Sequence, residues 1–302
     1  MIITNKYGLP DTLMNVVKRD PYTKGKARLS VTQLINSPKI VALQKKYDQE
    51  IETDLSELFW SVFGKAVHNI IEVGKTEGDV VEQRLHATLD GWDISGALDL
   101  QQANPFGISI TDWKTTSVWS VMNEKIEWEY QLNIYAWLVE TVRKIPVTDI
   151  NITAILRDWK EREKSTKEGY PEAPIKNIRH TLWTMEEREA FIKARISLHS
   201  ACEFAMETNG ELPDCTPEEM WEKPTIYAVM KDGNKRATKV CETKEGAEKE
   251  IVFLQEKKPK DKFLIVERPG ERTRCSTYCT VSPWCNQYKA YMEDRNESET
   301  EN

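Results

Sequence analysis

Gly96-Ala97-Leu98-Asp99 and, shortly after, Ser109-Ile110-Thr111-Asp112-Trp113-Lys114 decide how this chain is read. Both are β-rich runs that carry an acid, and the second closes on Asp-x-Lys. Residues two apart on a strand share a face, so Asp112 and Lys114 emerge on the same side. Asp99 lies at the end of the preceding strand, across a hairpin, where it can share a divalent ion with Asp112. The peptide carbonyl of Trp113 can add an oxygen ligand of the kind hard cations prefer. Lys114 can orient a water or stabilise negative charge as it develops.

An acid-x-Lys pattern alone carries little information, because Asp158-Trp159-Lys160, Glu242-Thr243-Lys244 and Glu256-Lys257-Lys258 also fit it. Their surroundings distinguish Asp112 and Lys114. Val80 to Leu85, Trp92 to Leu100 and Gly107 to Trp113 alternate as strands, with a tight turn at Asp90-Gly91. Ahead of them, Asp54 to Gly74 has helical periodicity. There Gly64, His68 and Glu72 recur at intervals of four and line one face. Gly64 permits close backbone approach, His68 can bind a metal, and Glu72 can orient or supplement it. Behind them, Glu127 to Arg143 is an amphipathic helix, with Gln131 and Tyr135 four apart. Further upstream, Ser30 or Thr32 can cap a helix whose first turn holds Gln33 and Leu34.

The order Gly-x-x-x-His, Gly-x-x-Asp, Asp-x-Lys, Gln-x-x-x-Tyr resembles the RecB-like branch of the PD-(D/E)XK nucleases, over roughly Ser30 to Tyr135. The resemblance implies an α/β fold: a mixed central sheet carrying Asp99, Asp112 and Lys114, with helices on both faces. It implies His68, Asp99, Asp112 and the Trp113 carbonyl as metal ligands, with Glu72 as a further one. Lys114 is then the catalytic lysine, and Gln131 and Tyr135 the accessory motif near DNA. The implied reaction is Mg²⁺- or Mn²⁺-dependent hydrolysis of DNA phosphodiesters, in which a metal-activated water near Lys114 attacks in line. An imidazole ligand favours Mn²⁺ somewhat. The alternative is a non-catalytic DNA-binding accessory protein with the same fold.

All six cysteines fall in the last third of the chain. Cys275-x3-Cys279-x5-Cys285 offers three thiolates, and a metal site needs a fourth ligand. Cys215, in the loop where the C-terminal segment begins, is the choice. Cys202 reads as helical core and Cys241 as the end of a strand. Several RecB-like nucleases carry a 4Fe–4S cluster on C-terminal cysteines of this style, so the resemblance implies iron–sulfur, with Zn²⁺ as the alternative. Those relatives take one cysteine from before the nuclease motifs, and this chain has none there. The likeness is closer to phage-encoded members of about this length. The cluster would staple the C-terminal segment onto the core, beside Arg272 and Arg274.

The 302 residues suffice for a proper core, and the formal charge of −7 argues against non-specific coating of nucleic acid, which needs clustered Lys and Arg. They leave room for an acidic metal site. No secretory h-region and no membrane-length apolar run is present, which reads as cytoplasmic: the host cytoplasm if phage-encoded. The expected organisation is an N-terminal extension (1–29), the nuclease core (30–208), a cysteine-bearing segment (209–290) and a disordered acidic tail (291–302). The polar stretch Lys160 to Lys176 reads as a mobile loop. Nothing resembles a dedicated sequence-reading module, so exonuclease is favoured over site-specific endonuclease. No Gly-x4-Gly-Lys-Ser/Thr signature is visible, so a helicase, recombinase or single-strand-binding protein would be a separate partner.

Overall fold

The computed structural model describes residues 1–19, 24–123 and 125–300, with side chains described up to residue 296. The chain forms two compact units, Met1–Pro213 and Asp214–Asn302.

The first unit opens with β1 (Ile2–Thr4) and α1 (Asp11–Lys18), then β2 (Leu29–Ser30) and α2 (Val31–Ile35). Ser30 caps α2 in a capping box: its hydroxyl accepts from Gln33 N, and the Gln33 side chain accepts from Ser30 N. Next come α3 (Pro38–Lys46), β3 (Glu52–Asp54), which pairs in parallel with β1, and α4 (Leu55–Glu72). The meander follows: β4 (Val80–Leu89), β5 (Trp92–Asn104) and β6 (Gly107–Thr116). Asp90 and Gly91 both take positive φ, 48° and 75°, as a two-residue hairpin turn requires. After α5 (Val118–Met122) and α6 (Ile126–Arg143) come β7 (Val147–Leu156), α7 (Glu161–Lys164), β8 (Ile175–Arg179) and α8 (Met185–Glu207).

The main sheet runs β2-β5-β6-β7-β8, with β4 also on β5. It is mixed: β6 and β7 are parallel, while β4–β5, β5–β6 and β7–β8 are antiparallel. From Gln131 to Val139 every side chain of α6 is buried, because this helix lies between the sheet and α8. Trp137, Leu132 and Leu138 pack with Ile94, Leu98, Ile110 and Ile150 in one core. Gly96 permits this approach. A Cβ there would stand 2.7 Å from Tyr135 Cε1 and 2.9 Å from Leu138 Cδ1.

Several expectations need correction. Asp99 does not end its strand, since β5 continues to Asn104. The stretch 160–176 is pinned by tertiary contacts that composition does not show: Tyr170 is buried, its hydroxyl accepts from Lys160 N at 2.8 Å, and Trp159 Nε1 donates to the Pro171 carbonyl at 2.8 Å. Gly64 meets no neighbour. A Cβ there would point into open space.

The second unit holds α9 (Pro217–Met220), β9 (Ile226–Lys231), β10 (Ala237–Cys241), α10 (Lys244–Lys257) and β11 (Phe263–Arg268). Its sheet is ordered β10-β9-β11, all antiparallel, and α10 packs on it. A π-turn at Arg274–Tyr278 and a 3₁₀ turn at Ser282–Trp284 lead into α11 (Asn286–Thr300). The acidic stretch expected to be disordered is therefore helical to Thr300, and residues 301–302 lie outside the described residues.

Candidate functional site

The β5–β6 ladder ends at Leu100–Thr111, and one step further its register would set Asp99 opposite Asp112. β6 continues its pairing with β7 past this point, as far as Thr116. Trp113 N–H, which β5 no longer engages through its backbone, donates instead to Asp99 Oδ2 at 2.8 Å. A fork between two strands thus carries both acids, and a carboxylate replaces the missing ladder bond.

Helix α4 brings His68 to this fork. Its cap, Asp54, accepts from Ser56 N (3.0 Å), Ser56 Oγ (2.7 Å), Lys6 N (2.8 Å) and Thr4 Oγ1 (3.0 Å). These bonds, the one from Lys6 N foremost, hold the Asp54 carboxyl well below the usual carboxylate range. Fourteen residues along the helix, His68 Nε2 lies 3.0 Å from the Trp113 carbonyl. A carbonyl only accepts, so that nitrogen carries the proton. Nδ1 faces Asp99 Oδ2 at 3.6 Å and Glu82 Oε1 at 3.7 Å. Burial pulls the imidazole pKa down, but Glu82, Asp99 and Asp112 together raise it above its ordinary value.

Glu82 is the residue that the sequence reading missed. It sits in β4 with φ of 48°, a left-handed conformation that an L-residue rarely holds within a strand. The β4–β5 register places it opposite Asp99. His68, Glu82 and Asp99 each offer a ligand atom, and these three atoms lie within 4.8 Å of one another. Glu72 does not join that group. Counting back from the Asp90-Gly91 turn would have paired Glu82 with Asp99.

Asp112 occupies the other branch of the fork, 2% exposed. Gln131 Nε2 donates to its Oδ1 at 3.1 Å and to Tyr135 Oη at 2.7 Å. Its Oδ2 is buried without a hydrogen bond, although Lys114 Nζ stands 2.6 Å away. The ammonium is close enough for charge attraction but poorly angled for a bond, which leaves an anionic oxygen underserved. Burial and the Asp112 charge push the Asp99 carboxyl up to about 7, against opposing pulls from His68, Lys114 and the Trp113 N–H. Crowded, desolvated carboxylates, one of whose oxygens is met only by the Lys114 ammonium, fit a divalent cation, which would compensate their charge.

In the second unit, Cys215 is buried and clamped at its backbone: its N–H donates to Gln287 Oε1 and its carbonyl accepts from Gln287 Nε2, both at 2.9 Å. Gln287 lies two residues past Cys285, so Cys215 is tied to the segment bearing that thiol. Burial and its neighbours Cys279 and Cys285 push Cys275 up to about 11. Cys202 is buried in α8 and Cys241 ends β10. Arg272 pairs with Glu222 (3.2 Å) and covers Tyr291, and Arg274 donates to the Glu219 carbonyl (3.1 Å).

Residues 26–286 match the PD-(D/E)XK nuclease superfamily, and the chain belongs to it. Among solved structures it is similar to SSO0001, at 16% identity and a TM-score of 0.45, covering 66% of this chain and 90% of that one. It is also similar to a Eubacterium rectale protein described as "Putative exonuclease", at 14% identity and a TM-score of 0.32, covering 65% and 73%. No curated protein matches. Among the described residues no helix is long and apolar enough to cross a membrane.

Proposed function

We propose that this chain is a deoxyribonuclease that hydrolyses phosphodiester bonds with Mg²⁺ or Mn²⁺ and works from DNA ends. The observation that carries this reading is the β5–β6 fork. Asp99, Asp112, Lys114 and His68 converge there, with one buried carboxylate oxygen left without a hydrogen bond. His68, Asp99, Asp112 and the Trp113 carbonyl would hold the cation, with Glu82 in the place the sequence assigned to Glu72.

A cation bound there supplies Lewis acidity and a water of lowered pKa. The chain's own groups do the rest. Lys114 presents its ammonium to the charge developing on the phosphate. Gln131 fixes the Asp112 carboxylate, and Tyr135 fixes Gln131. Action from an end rests on the sequence offering nothing like a dedicated sequence-reading module, and a role in phage or mobile-element recombination or replication on the resemblance to RecB-like nucleases. A 4Fe–4S cluster on Cys215, Cys275, Cys279 and Cys285 rests on that resemblance too. Gln287 ties the Cys215 backbone to the segment bearing Cys285, which is what the proposal has beyond the resemblance. The cluster's part would be to staple the second unit.

The test uses end-labelled linear DNA and covalently closed circles of the same sequence, with Mg²⁺, Mn²⁺ or a chelator. Linear DNA is degraded with either metal, circles are spared, and the chelator stops the reaction. A chain inert toward both DNAs leaves the non-catalytic DNA-binding reading in its place.

A further inference from the structure

Three aromatic side chains stand exposed on the first half of α4: Phe59, Trp60 and Phe63, with Trp60 52% exposed. They contact one another edge to face, at 5.7 Å for Phe59–Trp60 and 6.1 Å for Trp60–Phe63. A contiguous exposed aromatic cluster on a water-facing helix marks an interaction surface. Its position says what it serves. Trp60, Gly64 and His68 follow at intervals of four, a single ridge running about 12 Å toward the fork at ~1.5 Å per residue.

The far end of the ridge is tied to the strands of the site. The Arg157 guanidinium lies 4.3 Å from the Trp60 ring centroid. Arg157 N–H donates to the Thr116 carbonyl at 2.9 Å, and Thr116 is two residues beyond Lys114 on β6. Between the platform and His68 stands Gly64, where a Cβ would meet open space. A helix interior disfavours glycine relative to alanine, and nothing in the packing asks for one here.

Resting on the nuclease reading above, we infer that Trp60, Arg157 and Gly64 form a track that receives a single-stranded DNA end and leads it to the metal site. A base stacks on the indole, Arg157 meets the adjoining phosphate, and the backbone passes over Gly64 toward His68. Unpaired bases offer the π-faces such a platform takes, whereas in a duplex they are hidden in the stack.

The full-length chain is tested without divalent metal by fluorescence anisotropy, using fluorescein-labelled oligodeoxythymidine and a blunt duplex. Trp60→Ala weakens single-strand binding about tenfold and leaves duplex binding unchanged. Trp60→Phe restores most of the loss. Gly64→Phe fills open space, keeps the thermal melt and weakens the single strand alike. Phe106→Ala, an exposed aromatic at the β5–β6 turn, changes nothing. Unaltered single-strand binding in both Trp60→Ala and Gly64→Phe overturns the track, as does parallel loss of single strand and duplex, or a wild type that prefers duplex. Anisotropy needs no cleavage. A chain that holds the single strand this way but cuts nothing keeps the track and loses the nuclease reading of the site it feeds.

Discussion

The backbone N–H of Trp113 donates to Asp99 Oδ2 at 2.8 Å, so one carboxylate both closes the β5–β6 fork and belongs to the proposed metal site. Asp99→Asn separates the two duties. The amide oxygen still accepts from Trp113, while the charge crowding Asp112 is gone. Metal-free Asp99→Asn melts at least as high as the wild type, and its Mn²⁺ affinity, read by titration calorimetry, falls at least tenfold. A variant that melts well below the wild type yet binds Mn²⁺ normally contradicts this division.

Glu82 is held in a left-handed conformation within a strand, a cost of about 1–2 kcal/mol for a residue with a Cβ. Glu82→Gly removes that cost but adds roughly 0.5–1 kcal/mol of backbone entropy, so its melting temperature is no lower than that of the wild type. Its Mn²⁺ affinity nevertheless drops about tenfold, and Glu72→Gln leaves that affinity unchanged. The reverse pattern would restore Glu72 to the site.

This residue shows what was legible in the sequence. The hairpin strands, the acids and Asp-x-Lys could be read because strand alternation and the Asp-Gly turn are local signals. The turn also fixes the pairing, so Glu82 was within reach by counting. The open space beside Gly64, the burial of Tyr170 and the clamp of Gln287 on Cys215 were not. The clamp joins residues 72 apart, and the other two depend on how the folded chain packs, so no local period encodes any of them.

Gln131 reaches Asp112 and Tyr135 from one amide nitrogen. Gln131→Leu keeps the volume and removes the donor, leaving Asp112 with a second underserved oxygen. Cleavage falls about 10- to 100-fold. Gly96→Ala acts on the same pair by steric push against Tyr135 and destabilises by roughly 1–3 kcal/mol in chemical denaturation.

Asp54 caps α4, and its pKa is depressed in the folded chain. The stability it contributes is present above the ordinary carboxylate pKa near 3.8 and is lost as pH falls through the lower folded value. Asp54→Asn therefore melts below the wild type at pH 7, and the gap narrows as the pH is taken below about 4. A gap constant with pH would show that the carboxylate charge is not what holds the cap.

The cysteine assignment is read from absorbance near 400 nm of anaerobically purified protein. A band there that disappears in Cys215→Ser and Cys275→Ser supports iron–sulfur. A colourless chain with one equivalent of zinc supports the alternative.

The most direct test of the fork as a nuclease centre compares wild type with Lys114→Ala on end-labelled linear DNA in Mn²⁺, with folding and DNA binding matched. The account predicts that the variant binds DNA as well as the wild type and cuts at least a hundredfold more slowly. Equal cutting by the two proteins would contradict it.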